Sequence, residues 1–496
     1  MPLSTWNAFL NTTQIRADYS EKPAGLKWRS NTLFIIATVA VGLFTELFLY
    51  SLVVPVLPFM LHDRIGVPQD QVQSYVSVLL TVYAAASVFS SPFAGILADR
   101  LSTRQAPFLW GVLVLVAATT MLFLGRSLPV LVIARILQGL SAAVVWTIGL
   151  ALLLETVGPE NLGKTIGSVF SFISIGPLLA PVLGGVLYDT TGLIGVFGVG
   201  IAMLVVDLVM RILVVEKKVA ARYHTGNPNA ASDLANTSYG DQEQAQGSEQ
   251  ANGEEAPLLG DKKDELADFK LSPDQPRIAK MVPILPCLAN PRLLTALLVA
   301  LVQALLLGSF DSTVPLIGQD LFNFTSLEAG ILFLPLGVAD LVLGPLWGWC
   351  VDRYGTKPVA VTAYTYLVPI LILLRIPHGG DIRQAFLYGG LLAFCGVGLA
   401  GIGAPSIVEA GAVVQKYHEA NPEFFGDNGP YAQLYGLNSM VFSAGLTLGP
   451  EIAGELKQVI GYGNMNIILA AICAATALLC FVFIGGKPAI LSSRRR

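Results

Sequence analysis

Twelve apolar runs dominate this chain, each close to the ~20 residues that a helix needs to cross a bilayer. They cover 33–60, 74–98, 107–125, 129–154, 165–188, 194–215, 293–318, 329–351, 358–376, 385–415, 432–454 and 465–485. Lipid offers no hydrogen bonds, so each run must satisfy its own backbone, and a helix does this within one segment. The expected fold is an all-α membrane protein of twelve transmembrane helices. Charge agrees: 13% of residues are charged and 54% are hydrophobic, where a soluble domain carries about 25% charged residues. The tenth run is overlong for one crossing and is expected to tilt or to continue into water.

A polar stretch at 216–292 separates the sixth run from the seventh. Its middle, NPNAASDLANTSYGDQEQAQGSEQANGEEAPLLGDKKDE, cannot bury enough apolar surface to fold and reads as a disordered linker. Five regions follow: a tail at 1–32, a six-helix half at 33–215, the linker at 216–292, a second half at 293–485 and a tail at 486–496. The N-terminal tail has no apolar core and does not read as a signal peptide. Placing that tail in the cytoplasm puts 23 Lys and Arg on its side and 5 on the other. Without the linker the bias is still 14 against 5. Both termini and the linker are therefore expected to be cytoplasmic.

One signature occurs in both halves. GILADRLSTRQ follows the second run, with Gly95, Asp99, Arg100 and Arg104. GWCVDRYGTKP follows the eighth, with Gly348, Asp352, Arg353 and Lys357. An Asp at a helix end can latch onto a neighbouring helix terminus, and the Gly permits close approach. One copy is an ordinary surface turn; two at equivalent places point to internal duplication.

The fifth run, GSVFSFISIGPLLAPVLGG, is uncharged and crowded with small residues. Helical spacing puts Gly176, Ala180 and Gly184 on one stripe and Pro177, Pro181 and Gly185 on the next. Gly167 falls on the opposite face and should serve another contact. Small residues admit a close neighbour, and the prolines remove backbone donors. The stripe is expected to be a hinge face.

These features resemble the major facilitator superfamily of secondary transporters. The fourth run adds LVIARILQGLSAA, with Arg135, Gln138 and Gly139. The fifth is similar to the antiporter signature of drug–proton antiporters, carried by Gly167, Gly176, Pro181, Gly184 and Gly185, with Ala180 in place of a further Gly. Within the superfamily the chain looks most like the vesicular amine transporters and their multidrug-exporting relatives. ELFLYSLVVPVLP carries Glu46 where Asp is usual, and FDSTVPL carries Asp311 where those proteins have Glu. FLP at Phe333–Pro335 and YGLNSMVFSAGLTLGP at Tyr435–Pro450 also resemble theirs. Tyr83 and Ser439 stand where that group has Lys and Asp, and Glu409 lies a few residues beyond the place of its helix-10 acid. The resemblance implies a broad exporter rather than a monoamine carrier.

An ionisable group deep in a spanning helix costs at least ~2.5–3.5 kcal/mol to insert, so it faces a cavity or a partner. Glu46, Asp311, Arg135, Glu409 and Asp340 are the proton- or substrate-coupling candidates. Glu46 and Asp311 occupy equivalent points of the two halves, and Arg135 is expected to pair with an acid. Asp207 and Arg211 are spaced as a structural ion pair, and Glu451 lies near the far rim. A buried, unpaired carboxylate must be neutralised by a proton or by a cationic substrate. Competition for one site would give exchange, with the halves rocking about the midplane. Trp146, Phe172, Phe394 and Phe442 are candidates for an aromatic pocket wall.

The remaining motifs carry less. GVGLAG at Gly396–Gly401 lies inside a spanning run with no strand before it, which excludes a dinucleotide loop. The five cysteines and four histidines show no metal spacing, no catalytic constellation is visible, and no cofactor is called for. A net charge of −4 gives no nucleic-acid footprint. Asn323 is the glycosylation candidate on the non-cytoplasmic side. EEAPLL, Glu254 to Leu259, resembles an acidic dileucine signal for sorting adaptors, which leaves plasma membrane and vacuolar or endosomal membrane both open. The reading is a monomeric proton-coupled antiporter of small amphipathic cations. A nutrient facilitator or symporter of the same fold, and a non-transporting membrane sensor, are the alternatives.

Overall fold

The computed structural model describes residues 25–225 and 269–485, apart from 102, 159–160, 273–274, 323, 325–327, 329–330, 381 and 427–428. Among these there is no strand. Ten stretches are long and apolar enough to cross a membrane. One of them contains Leu162–Leu213, which is two helices joined at Gly192, where φ 65° and ψ −157° suit only glycine. Tyr431–Ile460 is long enough but diluted by Gln433, Asn438, Glu451, Glu455 and Lys457. Twelve long helices result. In the first half they are α1 (Thr32–Val53), α2 (Gln69–Arg100), α3 (Gln105–Leu124), α4 (Leu128–Val157), α5 (162–191) and α6 (193–213). In the second they are α7 (Pro291–Phe322), α8 (Phe333–Tyr354), α9 (Thr356–Leu373), α10 (Ile382–Ala420), α11 (Tyr431–Ile460) and α12 (Tyr462–Phe483).

Local chemistry explains why polar and helix-breaking residues survive in these rods. Hydroxyls donate one turn back: Ser91 to the Ser87 carbonyl at 2.7 Å, Ser171 to Gly167 at 2.8 Å, Thr313 to Ser309 at 2.7 Å. That satisfies the side chain inside its own helix. Prolines at 92, 177, 181, 315, 345, 369, 405 and 450 leave the helices unbroken, as neighbouring helices allow in membranes.

Pairings repeat between the halves. In the first half α1 packs on the α5–α6 rod, α2 on α4 and α3 on α4; in the second α7 packs on α11, α8 on α10 and α9 on α10 and α12. Across the halves α5 meets α8 and α2 meets α11. One apolar core spans both halves at the end of the bundle that receives the linker, joining Ile35, Leu153 and Leu162 to Val351, Val413 and Ala432. Beyond it lie two further cores, one built on second-half residues such as Leu306 and Tyr364, the other on first-half residues such as Leu52 and Leu122. The bundle is sealed at the linker end, and its halves keep separate interiors beyond.

The stretch 216–292, expected to be disordered, is folded at both of its described ends. Lys217–Thr225 is helical, as is Arg277–Met281, and Leu285–Ala289 forms a tight turn. Residues 269–290 make a strap under the bundle. Phe269 is buried and meets Tyr417 edge-on at 5.1 Å, and Ile284 and Cys287 enter the shared core. Asn421 grips the strap backbone twice: its side-chain oxygen accepts the Leu271 amide at 2.8 Å and its nitrogen donates to the Phe269 carbonyl at 2.9 Å. The polar middle of the linker sets the overall composition, and a few scattered apolar anchors suffice to fold its flank. Residues 254–259 and Asn323 lie outside the described residues.

Candidate functional site

The repeated Asp residues cap helices of the opposite half. Asp99, ending α2, accepts the amides of Ala432 at 3.0 Å and Gln433 at 2.8 Å, the first turn of α11. Asp352, ending α8, accepts those of Gly163 at 2.8 Å and Lys164 at 2.7 Å, the first turn of α5. A carboxylate there satisfies orphan donors and meets the positive end of the helix dipole. The glycines make the approach possible. A Cβ on Gly95 would sit 2.5 Å from the Ala432 carbonyl, and one on Gly348 2.3 Å from that of Gly163.

Beyond the capping Asp, the two copies differ. Arg104 bridges Asp99 at 2.8 Å and Glu155 of α4 at 3.0 Å, while Glu216 accepts the amides of Arg104 and Gln105. Lys357 instead lies over the Phe481 ring at 5.2 Å, and Arg353 over Trp349 at 5.8 Å. Arg100 donates weakly to the strap carbonyl of Met281 at 3.5 Å.

The small-residue rod α5 serves two neighbours. Gly167 faces the other half, where an added Cβ would lie 2.3 Å from the Gly344 carbonyl. The stripe faces α1 of its own half: Gly184 has the Leu52 carbonyl 2.4 Å from the Cβ position, Ala180 is fully buried, and Gly176 has ordinary room beside Phe44. Gly185 meets nothing within 4 Å, and Pro181 is half-buried. The cross-half contact thus belongs to Gly167, and the stripe is an intra-half seam.

Towards the bundle middle, polar side chains gather on α1, α2 and α4. Glu46 is 2% exposed and accepts hydrogen bonds from the Tyr83 hydroxyl and, at 3.2 Å, from Trp146 Nε1. Tyr83 stacks obliquely on Tyr50 with centroids 4.7 Å apart. Gly139 explains the fourth-run motif: a Cβ there would lie 2.3 Å from the Tyr83 carbonyl, so α4 presses directly on α2. Asp311 of α7 is exposed, and the Arg135 guanidinium stands 6.0 Å from the ring centre of Tyr50. The cross-half bonds extend inward to this level, where Ser174 donates to Asp340 of α8 and the Ser439 hydroxyl lies 3.4 Å from the Ser91 oxygen, which can accept from it.

Three expectations change. Arg135 has no acid within ion-pair distance among the described residues. Its Nη1 donates to Gln138 Oε1 at 3.1 Å and its guanidinium stands 6.0 Å from the Tyr50 ring centre. The acceptor one turn along its own helix is nearer than Glu46, which Tyr83 occupies. Glu409 does not join this group. It lies towards the linker end of α10 and accepts Arg292 Nη2 at 2.7 Å, the Gly485 amide at 3.1 Å and the Thr356 hydroxyl. That tie joins the ends of α7, α9, α10 and α12, because α10 runs for 39 residues and carries Glu409 past the middle. Asp340 is a cross-half tie through Ser174 rather than a free group.

The other intramembrane charges settle elsewhere. Asp207 and Arg211 form a fully buried bidentate pair at 2.8 and 2.7 Å, with Arg211 also donating to the Phe108 carbonyl. Glu451 is exposed. Of the proposed aromatics, Trp146 reaches Glu46, Phe172 packs on Phe44 at 5.0 Å and Phe394 is exposed. Sequence reasoning overlooked Tyr50, Glu155, Glu216 and Ser174; only the acidic pair flanking the Arg104 loop left a trace, as charges at helix ends.

Comparison with known proteins is consistent with this architecture. Residues 39–420 match the family profile of the Major Facilitator Superfamily. The chain is 42% identical over 471 residues to the MFS-type transporter ppzB of Metarhizium rileyi, covering 93% of this chain and 97% of that one. It is 22% identical over 417 residues to the synaptic vesicular amine transporter of Rattus norvegicus, covering 84% and 67%. Among solved structures it is similar in fold to the proton:xylose symporter XylE, with TM-score 0.65, 13% identity and coverage of 92% and 97%.

Proposed function

The chain belongs to the major facilitator superfamily of membrane transporters, and from that premise we propose that it is a proton-coupled antiporter of small, amphipathic, cationic compounds. It is a multi-pass membrane transporter and not an enzyme. The observation that carries the finer reading is Glu46: a buried carboxylate whose hydrogen-bond donors, Tyr83 and Trp146, are both neutral. Its charge is stabilised but not cancelled, so a proton or a cation must bring the balancing charge. In this reading Asp311, exposed on α7 at the equivalent point of the second half, supplies a second carboxylate, and the aromatic rings of Tyr50, Tyr83 and Trp146 tolerate a cation.

Alternating access follows from the same geometry. The linker end is closed by the Asp99 and Asp352 caps, and the exchange cycle breaks these caps and reforms them. The bias of Lys and Arg supports a cytoplasmic linker end, so the closed face in this reading is the cytoplasmic one; the proposed direction, export or vacuolar sequestration, rests on the resemblance to drug exporters. The protein works as a monomer in this reading.

The test is uptake of a lipophilic amine by proteoliposomes under an imposed pH gradient. Uptake should follow the gradient and fall sharply in Glu46→Gln and in Asp311→Asn. Uptake indifferent to the gradient, or full activity in both variants, overturns the proposal.

A further inference from the structure

We infer that Tyr83 is the residue that sets the charge selectivity of this carrier, by holding Glu46 with a neutral donor. The inference rests on the functional reading of Glu46 given above. Four observations converge on Tyr83. Its hydroxyl donates to Glu46 Oε1, while Trp146 Nε1 donates to Oε2 at 3.2 Å, so each carboxylate oxygen has one neutral partner. No cation lies within ion-pair distance of Glu46 among the described residues; the buried guanidinium of Arg135 donates through Nη1 to Gln138, and its Nε and Nη2 meet no partner. The Tyr83 backbone is fixed by Gly139, whose missing side chain lets α4 lie against the Tyr83 carbonyl. Its ring lies against Tyr50, centroids 4.7 Å apart, and the Arg135 guanidinium stands 6.0 Å from that ring.

The physical consequence concerns charge and not only geometry. A lysine or arginine at this point would pair with Glu46 and cancel it, and an incoming cation would meet a fixed positive charge. A phenol solvates the carboxylate and leaves its charge to the cargo. Tyr83 is thus a positioning residue that makes Glu46 available to one monovalent cation or one proton at a time.

The full-length protein, purified in detergent with weak buffering, allows a direct test with tetraphenylphosphonium as a permanent monocation and triphenylphosphine oxide as its uncharged counterpart. Cation binding to the wild type should release protons. Tyr83→Phe should weaken cation binding about tenfold, the loss of one hydrogen bond to a charged group, while release of protons at saturation persists. Tyr83→Lys should abolish both cation binding and proton release and weaken binding of the uncharged probe far less, with thermal melting confirming that the variant is folded. In a Glu46→Gln background Tyr83→Phe should have no further effect on cation binding, which keeps the test decisive if Tyr83→Lys does not fold. Wild-type proton release that survives Tyr83→Lys, or a tenfold loss that persists in Glu46→Gln, overturns the inference alone. A wild type that releases no protons on binding the cation overturns the functional reading and this inference with it.

Discussion

Asp99, in the last turn of α2, accepts the backbone amide of Gln433, in the first turn of α11, at 2.8 Å, and so one half of the molecule caps a helix of the other. Asp352 and Lys164 repeat the relationship with the halves exchanged, at 2.7 Å. Losing a helix cap costs about 1 kcal/mol, or roughly a fivefold shift in a two-state balance. Asp99→Ala and Asp352→Ala should each move the population towards a linker-open arrangement by about that factor, and the double variant further. Thiol labelling of a cysteine placed at Ser439, beside Ser91, reads this from the linker side. Unchanged labelling in the double variant would show that the caps do not hold the seal.

The α1–α5 seam predicts a contrast between adjacent glycines. A methyl group at 184 has the Leu52 carbonyl 2.4 Å away, whereas one at 185 meets nothing within 4 Å. Gly184→Ala should destabilise the protein by about 1–3 kcal/mol, the usual cost of overpacking. Gly185→Ala should leave melting unchanged, and Gly184→Leu should abolish transport. Equal melting of the two alanine variants would refute the seam.

The buried pair Asp207–Arg211 is structural. Asp207→Ala strands a guanidinium that is fully buried and should cost about 3–5 kcal/mol. Replacing both by leucine and methionine should recover most of that loss. Thermal melting of the single and double variants measures the difference.

Glu409 ties helix ends together, so its loss should lower stability without altering ion coupling. Glu409→Gln frees Arg292 from its carboxylate and should lower the melting temperature by about 1–3 °C, since ~1 kcal/mol moves a chain of 496 residues by only ~1 °C. The number of protons exchanged per substrate should stay at the wild-type value. A changed stoichiometry would return Glu409 to the coupling machinery.

Asn421 anchors the strap through both its amide oxygen and its amide nitrogen. Asn421→Ala should loosen residues 269–271 and speed tryptic cleavage after Lys270 severalfold, followed by mass spectrometry. Cleavage at the wild-type rate would mean that Phe269 alone holds the segment.

Much of the architecture is written in the chain because lipid imposes a length on every crossing, and the twin Asp motifs stand out because duplication prints them twice. The partners of those Asp residues are another matter. Asp99 finds Gln433 at a separation of 334 residues, and no local spacing encodes that meeting. Gly167 was legible as a residue facing away from its stripe, but only packing reveals that the stripe lies on α1. Tyr83 was visible as a departure from a related pattern, while its bond to Glu46 depends on how Gly139 lets α4 and α2 close together. Arg135 and Glu409 mislead for opposite reasons: one finds its acceptor on its own helix, and the other sits on a helix too long for its charge to remain central.

The strap gives the connecting segment a mechanical standing. Gripped by α10 through Asn421, touching α11 where the Ile284 amide meets Gln433 at 3.4 Å, and reached by Arg100 from α2, it bridges the two halves. In the proposed cycle, shortening or stiffening the strap would change the work of opening itself, and the resting posture of the carrier would be governed partly by a segment outside its twelve long helices.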